Sequence, residues 1–278
     1  FFLLQKLWLA ALLVLGLASV YWNAMRVPFV LDDVALIQEN SAIRSLRHLN
    51  NLWRFSRTRF LTNFSYALDY QCARLNTRQY HIVNLLFHFT TAITVWLLAD
   101  LLLRQSTRAD SEEVNWCHTQ ESSECIPVAW VAAMVFALHP LQTAAVTYIA
   151  QRCAIFAACF YLAACFFYGF SRTLAGRKKW LAYSAALLCS LAAVFSKENS
   201  FTLPLALLLM DLLLLPREKS LPELKFFWPF VAISLLIPFN LWLGSGSQKL
   251  SAVVRLAEPS GQISALHYFY TQARVMIT

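Results

Sequence analysis

Charge is the first thing this chain lacks. Asp, Glu, Lys and Arg make up only 14% of its 278 residues, where a soluble domain carries about a quarter. With 59% hydrophobic residues and a mean hydropathy of +0.52, a water-facing surface cannot be built, which excludes a soluble fold. Glycine is scarce too, at six residues, too few for flexible linkers between domains. Cysteine is present seven times, but no CxxC spacing occurs, so no zinc site is indicated. Cys153, Cys159, Cys165 and Cys189 fall in apolar stretches and read as small hydrophobes, while Cys117 and Cys125 share a polar loop and Cys72 stands alone in another. No small-residue cleavage site precedes Trp22, so the first apolar run reads as a retained helix and not as a signal peptide. The net charge of +8 is spread between apolar blocks, and without one continuous basic face it points away from nucleic acid and toward lipid phosphates.

What the chain has instead is apolar runs. They cover 3–21, 82–103, 128–138, 155–170, 180–195, 201–215, 226–243 and 263 onward. A crossing helix takes about 20 residues, so the pattern predicts an all-α, polytopic transmembrane helical bundle with about eight membrane segments. The third run is half the length required, which predicts either extension through Tyr148 or a re-entrant segment. The stretch 171–179 carries Arg172, Arg177, Lys178 and Lys179 with no acid, and by the positive-inside rule it faces the cytoplasm. Alternation then puts the N-terminus, 104–126 and the cations Arg217, Lys219 and Lys225 inside, and the long loop 22–80 outside, although that loop carries eight arginines. The expectation is an integral membrane protein, in a bacterial inner membrane with its site facing the periplasm, or in the endoplasmic reticulum membrane of a eukaryote. Residues 1–278 read as a single membrane module. The start at Phe1 and the stop at Thr278 inside an apolar stretch predict that further helices lie beyond it.

Under that topology, polar groups from four segments meet at one membrane level: Asp32-Asp33, His139-Pro140, Gln151-Arg152 and Ser196-Lys197-Glu198-Asn199. Taken singly, each reads as well as a cap or a solvated turn; together they predict a site lined by several helices. Adjacent carboxylates have pKa values driven apart, which suits Asp32 and Asp33 to general-base work. Two acids are fewer ligands than a metal needs, so no metal site is assigned and a divalent cation is left open. Arg152, Lys197 and the arginine-rich loop supply cations for phosphate oxygens. Alternatively, Arg54, Arg57 and Arg59 lie along an interfacial helix with Trp53, Phe55 and Phe60 in the acyl boundary. His81, Asn84 and His88 share one helical face; the two histidines stand about 10 Å apart along the axis, too far for one ion, which leaves interhelical hydrogen bonding. Asp211 reads as structural, snorkelling or paired with Arg217.

Eight motifs in order carry a family resemblance: Asp32-Asp33; Arg59-Phe60-Leu61-Thr62-Asn63-Phe64-Ser65-Tyr66-Ala67-Leu68-Asp69-Tyr70; His81, Asn84 and His88; Phe136 through Thr143; Tyr148-Ile149-Ala150-Gln151-Arg152; Ser196-Lys197-Glu198; Leu203-Pro204 with Asp211; and Tyr268 with Thr271-Gln272-Ala273-Arg274-Val275. The chain resembles the multi-spanning C-type glycosyltransferases, most closely the O-mannosyltransferase group whose membrane helices precede tetratricopeptide repeats. The resemblance implies a C-type fold and an inverting transferase. It would move a sugar, mannose by analogy, from a polyprenyl-phosphate donor to a protein or glycan hydroxyl on the outer face. It further implies Asp32 or Asp33 as base, Arg59, Arg152 and Lys197 as donor-phosphate ligands, and His81, Asn84, His88, His139, Gln151 and Glu198 as residues shaping the site. Three departures stand out: Phe60 replaces the Pro of Arg-Pro-Leu, Asn76-Thr77-Arg78-Gln79 replaces a Gly and Pro, and Ala144 stands where an acid usually follows His-Pro. The loss at Ala144 keeps a second reading in play, a non-catalytic scaffold subunit of a larger membrane complex.

Overall fold

The computed structural model describes residues 2–111, 121–214 and 226–245, and among them every regular element is helical. The helices are α1 (Phe2–Tyr21), α2 (Leu49–Phe55), α3 (Phe60–Ala73), α4 (Thr77–Ser111), α5 (Glu121–Leu138), α6 (Gln142–Thr147), α7 (Arg152–Arg172), α8 (Gly176–Val194), α9 (Leu203–Leu213), α10 (Trp228–Ser234) and α11 (Leu236–Ser245). Three are long and apolar enough to cross a membrane, over Leu7–Arg26, Thr77–Gln105 and Ile149–Arg172, and Pro127–Leu138 and Trp228–Leu243 are shorter apolar helices. By contact the chain divides into a unit Phe1–Ile237 and a unit Pro238–Thr278. The expected segment from 263 onward, Arg217, Lys219 and Lys225, and the motif from Tyr268 to Val275 lie outside the described residues.

Three of the expected runs take a different local form. The third stops at His139-Pro140, where the chain turns and restarts as α6, with Gln142 N–H donating to His139 O. Pro140 cannot donate to the turn before it, so α5 ends there. Within 201–215 only Leu203–Leu213 is α-helical, about 16 Å of helix, short of a bilayer core. Its start is set by Pro204 in the first turn, where the missing N–H costs nothing. The run 226–243 is two helices broken at Leu235. Cys125 belongs to α5 and not to a loop, and Cys117 lies outside the described residues.

α1, α4 and α5 pack together through Leu13, Leu17, Ala92 and Ala137 and through Trp96, Ala129 and Ala133. Trp130 Nε1 donates across the contact to Leu9 O at 3.0 Å. A second core joins α7, α8, α9 and α10 through Cys165, Tyr168, Ala186, Leu207 and Phe230. Cys153, Cys159 and Cys165 are buried and unpaired, as small hydrophobes should be. Gly169 is where α7 meets α4 and α9: a Cβ there would lie 3.0 Å from Leu101 Cδ2 and 3.6 Å from Met210 Cε. Gly169→Val is therefore expected to destabilise the protein by about 1–3 kcal/mol through overpacking, read as an earlier unfolding midpoint in detergent.

The long segment between α1 and α4 folds on its own small core of Ile37, Ile43, Leu52, Tyr66, Ala67 and Tyr80 with Ile149. α2 and α3 lie within it. Trp53 packs edge-on to Phe60, centroids 5.6 Å apart, and 5.7 Å from Phe195, so it serves as internal packing, while Phe55 is exposed. This segment docks against the ends of α4, α7 and α8 through the hydrogen bonds that build the site.

Candidate active site at one end of the bundle

The two adjacent acids have opposite surroundings. Leu31 adopts a left-handed backbone, φ 48°, an uncommon state for a branched residue. After it Asp33 is buried and Asp32 stays at the surface. Asp33 is 1% exposed; its Oδ1 accepts the Ala150 N–H at 2.6 Å and its Oδ2 accepts the Val30 N–H at 3.1 Å. Burial pushes its carboxyl above the ordinary carboxylate value, against the pull of those two donors and of His81. Asp32 is exposed, and its backbone N–H donates to Tyr148 Oη at 2.9 Å. Asp33 thus ties the turn to the segment before α7, and Asp32 is the carboxylate open to a substrate.

Arg152, the first residue of α7, has no exposed surface. Its Nε donates to Asn84 Oδ1 at 2.7 Å, one terminal nitrogen donates to Ser65 Oγ at 3.1 Å, and the other to Tyr80 O at 2.9 Å. The first of these terminal nitrogens also lies 2.6 Å from Asp69 Oδ2, and the guanidinium stands 4.7 Å over the Tyr66 ring. A cation at a helix N-terminus opposes the helix dipole, and Asp69 supplies the compensating charge. The guanidinium that the sequence offers to a phosphate is instead the hub joining α3, α4 and α7.

The polar stripe of α4 staples the same end. His81 Nε2 lies 2.9 Å from Val27 O and His88 Nε2 lies 3.0 Å from Ala137 O. A carbonyl only accepts, so both rings carry the proton on Nε2. Asn84 Nδ2 reaches toward Val146 O at 3.5 Å. The His88 and Asn84 contacts, to α5 and α6, are the interhelical bonding expected from the spacing, whereas His81 holds the extended backbone that follows α1. His139 is exposed and accepts the Leu141 N–H on Nδ1 at 3.2 Å, and Gln151 is half-buried.

A second cluster lies where α3 starts. Glu198 accepts from Thr58 Oγ1 at 2.7 Å and pairs with Arg59 at 3.2 Å, while Leu61 N–H and Thr62 Oγ1 hold the carbonyls of Phe195 and Ser196. Lys197 between them is half-buried and has no ion-pair partner among the described residues. Burial raises the Glu198 carboxyl, but its hydrogen bonds to Arg59 and Thr58 outweigh this and hold it below the ordinary value. A depressed acid stabilises the fold above its ordinary pKa of 4.5, and that contribution fades as pH falls through the lower folded value. Because Arg59 is 43% exposed, Glu198→Gln is expected to cost no more than about 1 kcal/mol at neutral pH. The gap between parent and variant, measured by unfolding across pH, should close below the ordinary value.

The structure brings Asp33, Tyr148, Ala150, Arg152, Asn84 and His81 into one network and Arg59, Lys197 and Glu198 into another, with α3 shared between them. Thr58, Ser65, Asp69, Tyr80 and Tyr148 belong to these networks although the motif reading gave them no role; Ser65, Asp69 and Tyr148 sat inside quoted motifs, but only their partners show what they do. Ala144 is exposed one helical turn before Tyr148, to whose N–H its carbonyl is bonded. Among the described residues no group of three His, Cys, Asp or Glu is placed to hold a metal ion.

Comparison with curated proteins finds similar chains. The chain is 28% identical over 200 residues to the protein O-mannosyl-transferase Tmtc3 of Drosophila melanogaster, covering 66% of the chain and 22% of that protein. It is 24% identical over 204 residues to human TMTC3, with 68% and 20% covered, and 24% identical over 253 residues to human TMTC2, with 86% and 28% covered. The resemblance to the membrane O-mannosyltransferase group is borne out by these homologues, and the chain spans roughly a fifth to a quarter of their length. No family profile and no solved structure matches the chain.

Proposed function

We propose that this chain is the membrane module of a glycosyltransferase that moves mannose from a polyprenyl-phosphate donor to a hydroxyl of a protein acceptor on the outer face of the membrane. The observation that carries this reading is the split acid pair, one carboxylate open and its neighbour locked into the fold. Asp32 takes the acceptor hydroxyl proton, the acceptor oxygen bonds to the anomeric carbon with inversion, and the carbon–oxygen bond to phosphate breaks, its electron pair leaving on polyprenyl phosphate. Arg59 and Lys197 hold the phosphate oxygens, with Glu198 aiming Arg59. Arg152, His81, Asn84 and His88 act one step back, fixing the helices that carry these groups. Further membrane segments and a repeat domain beyond these residues complete the enzyme. The test is transfer of radiolabelled mannose from the lipid donor to an acceptor protein by the full-length enzyme. Lys197→Ala is expected to raise the donor KM more than tenfold; an unchanged KM removes Lys197 from the donor site.

A scaffold reading is favoured by one observation, the exposed alanine at 144 beside Tyr148, where the family resemblance implies an acid. It expects partner proteins to co-purify at fixed stoichiometry whether or not Asp32 is neutralised.

A further inference from the structure

The turn that carries the two aspartates is held twice from one short segment. Tyr148 closes α6 in an extended conformation, ψ 111°, and the chain runs on through Ala150 into α7. Ala150 donates its N–H to Asp33 Oδ1 at 2.6 Å in a buried bond, and Tyr148 Oη accepts the Asp32 N–H at 2.9 Å in an exposed one. The buried bond already ties the segment to the turn. The exposed one adds little to that tie, because water can serve the same N–H.

A phenol oxygen accepts and donates at once. With the Asp32 N–H on a lone pair, Tyr148 still has its own proton, and a second hydrogen bond joins it to the Asp32 side chain. A carboxylate only accepts, so the phenol is the donor. Burial chiefly lifts the phenol above its ordinary value and the bond to the Asp32 carboxylate adds to this, against the pull of the N–H, so the proton stays on Tyr148 at neutral pH. One side chain therefore grips Asp32 at its main-chain nitrogen and at its carboxylate. An exposed aspartate otherwise turns freely about two torsions, and a base that wanders loses the close, aligned approach that proton transfer needs. The carboxylate has two oxygens and the phenol takes one, which leaves the other for the acceptor hydroxyl.

We infer that Tyr148 is the positioning residue of the base, turning the Asp32 carboxylate toward the acceptor hydroxyl without touching either substrate. This rests on Asp32 as the base of the proposed transfer. Steady-state mannose transfer by the full-length enzyme tests it with Tyr148→Phe, which keeps the ring and removes only the hydroxyl, rates being taken per folded molecule. That change is expected to lower kcat about 10- to 100-fold, the worth of one hydrogen bond to a charged group, with the donor and acceptor KM within about twofold of the parent. In an Asp32→Asn background it should do almost nothing further, since no base remains to be aimed. Parental kcat in Tyr148→Phe, a loss confined to KM, or a full additional loss on top of Asp32→Asn overturns the inference and leaves the base in place. Parental transfer by Asp32→Asn alone strikes the base itself and the inference with it.

Discussion

Arg152→Met is expected to lower stability by about 3–5 kcal/mol, the cost of leaving a buried charge without its partner. Arg152 has no exposed surface and Asp69 is 4% exposed, so water cannot replace the guanidinium. Asn84 Oδ1, Ser65 Oγ and Tyr80 O lose their donor in the same step, each a further desolvation cost. Asp69→Asn removes the other half and is destabilising for the mirror reason. The double variant should cost clearly less than the sum of the two, because each single change already breaks the pair. Denaturant unfolding in detergent measures all three. An Arg152→Met protein within about 1 kcal/mol of the parent would show that α3, α4 and α7 are held by their apolar contacts alone.

That network also shows where sequence reading stops. The apolar runs were legible as helices because composition alone sets them. The α4 stripe was legible because a spacing of three and seven residues fixes a face and a separation before any partner is known. Arg152 was not, since its ligands come from residues 65 to 84, and in sequence a cation beside polar neighbours is the same whether it faces a phosphate or an aspartate. The broken runs at His139-Pro140 and Leu235 mark the same limit for length: apolar content continues where the backbone turns. Asp211 was legible as structural; among the described residues it pairs with Arg172 on α7, a contact that only the packing of α7 against α9 makes. Which of Asp32 and Asp33 is free follows from the backbone around Leu31 and from the N–H groups of Val30 and Ala150 that hold Asp33, and no pattern of residue types encodes it.

The two aspartates should therefore fail in different ways when neutralised. Asp32→Asn keeps the backbone N–H that donates to Tyr148 and removes only an exposed carboxylate, so the unfolding midpoint should stay within about 0.5 kcal/mol of the parent. Transfer should fall roughly 10²- to 10⁴-fold, the usual worth of a positioned general base. Asp33→Asn keeps one acceptor oxygen and puts an NH₂ against a backbone N–H, costing about 1–3 kcal/mol for the orphaned donor; activity should fall only as the folded fraction falls. The pH dependence separates them further. The folded pKa of Asp33 is raised, so its contribution to stability is full below the ordinary carboxylate value and declines as pH rises through the folded one. Asn has no such titration, so the Asp33→Asn deficit should shrink with rising pH across that window while the Asp32→Asn rate deficit persists at neutral pH. Full transfer by Asp32→Asn with intact folding would move the base elsewhere, whereas a parent protein that transfers no mannose at all would favour the scaffold reading.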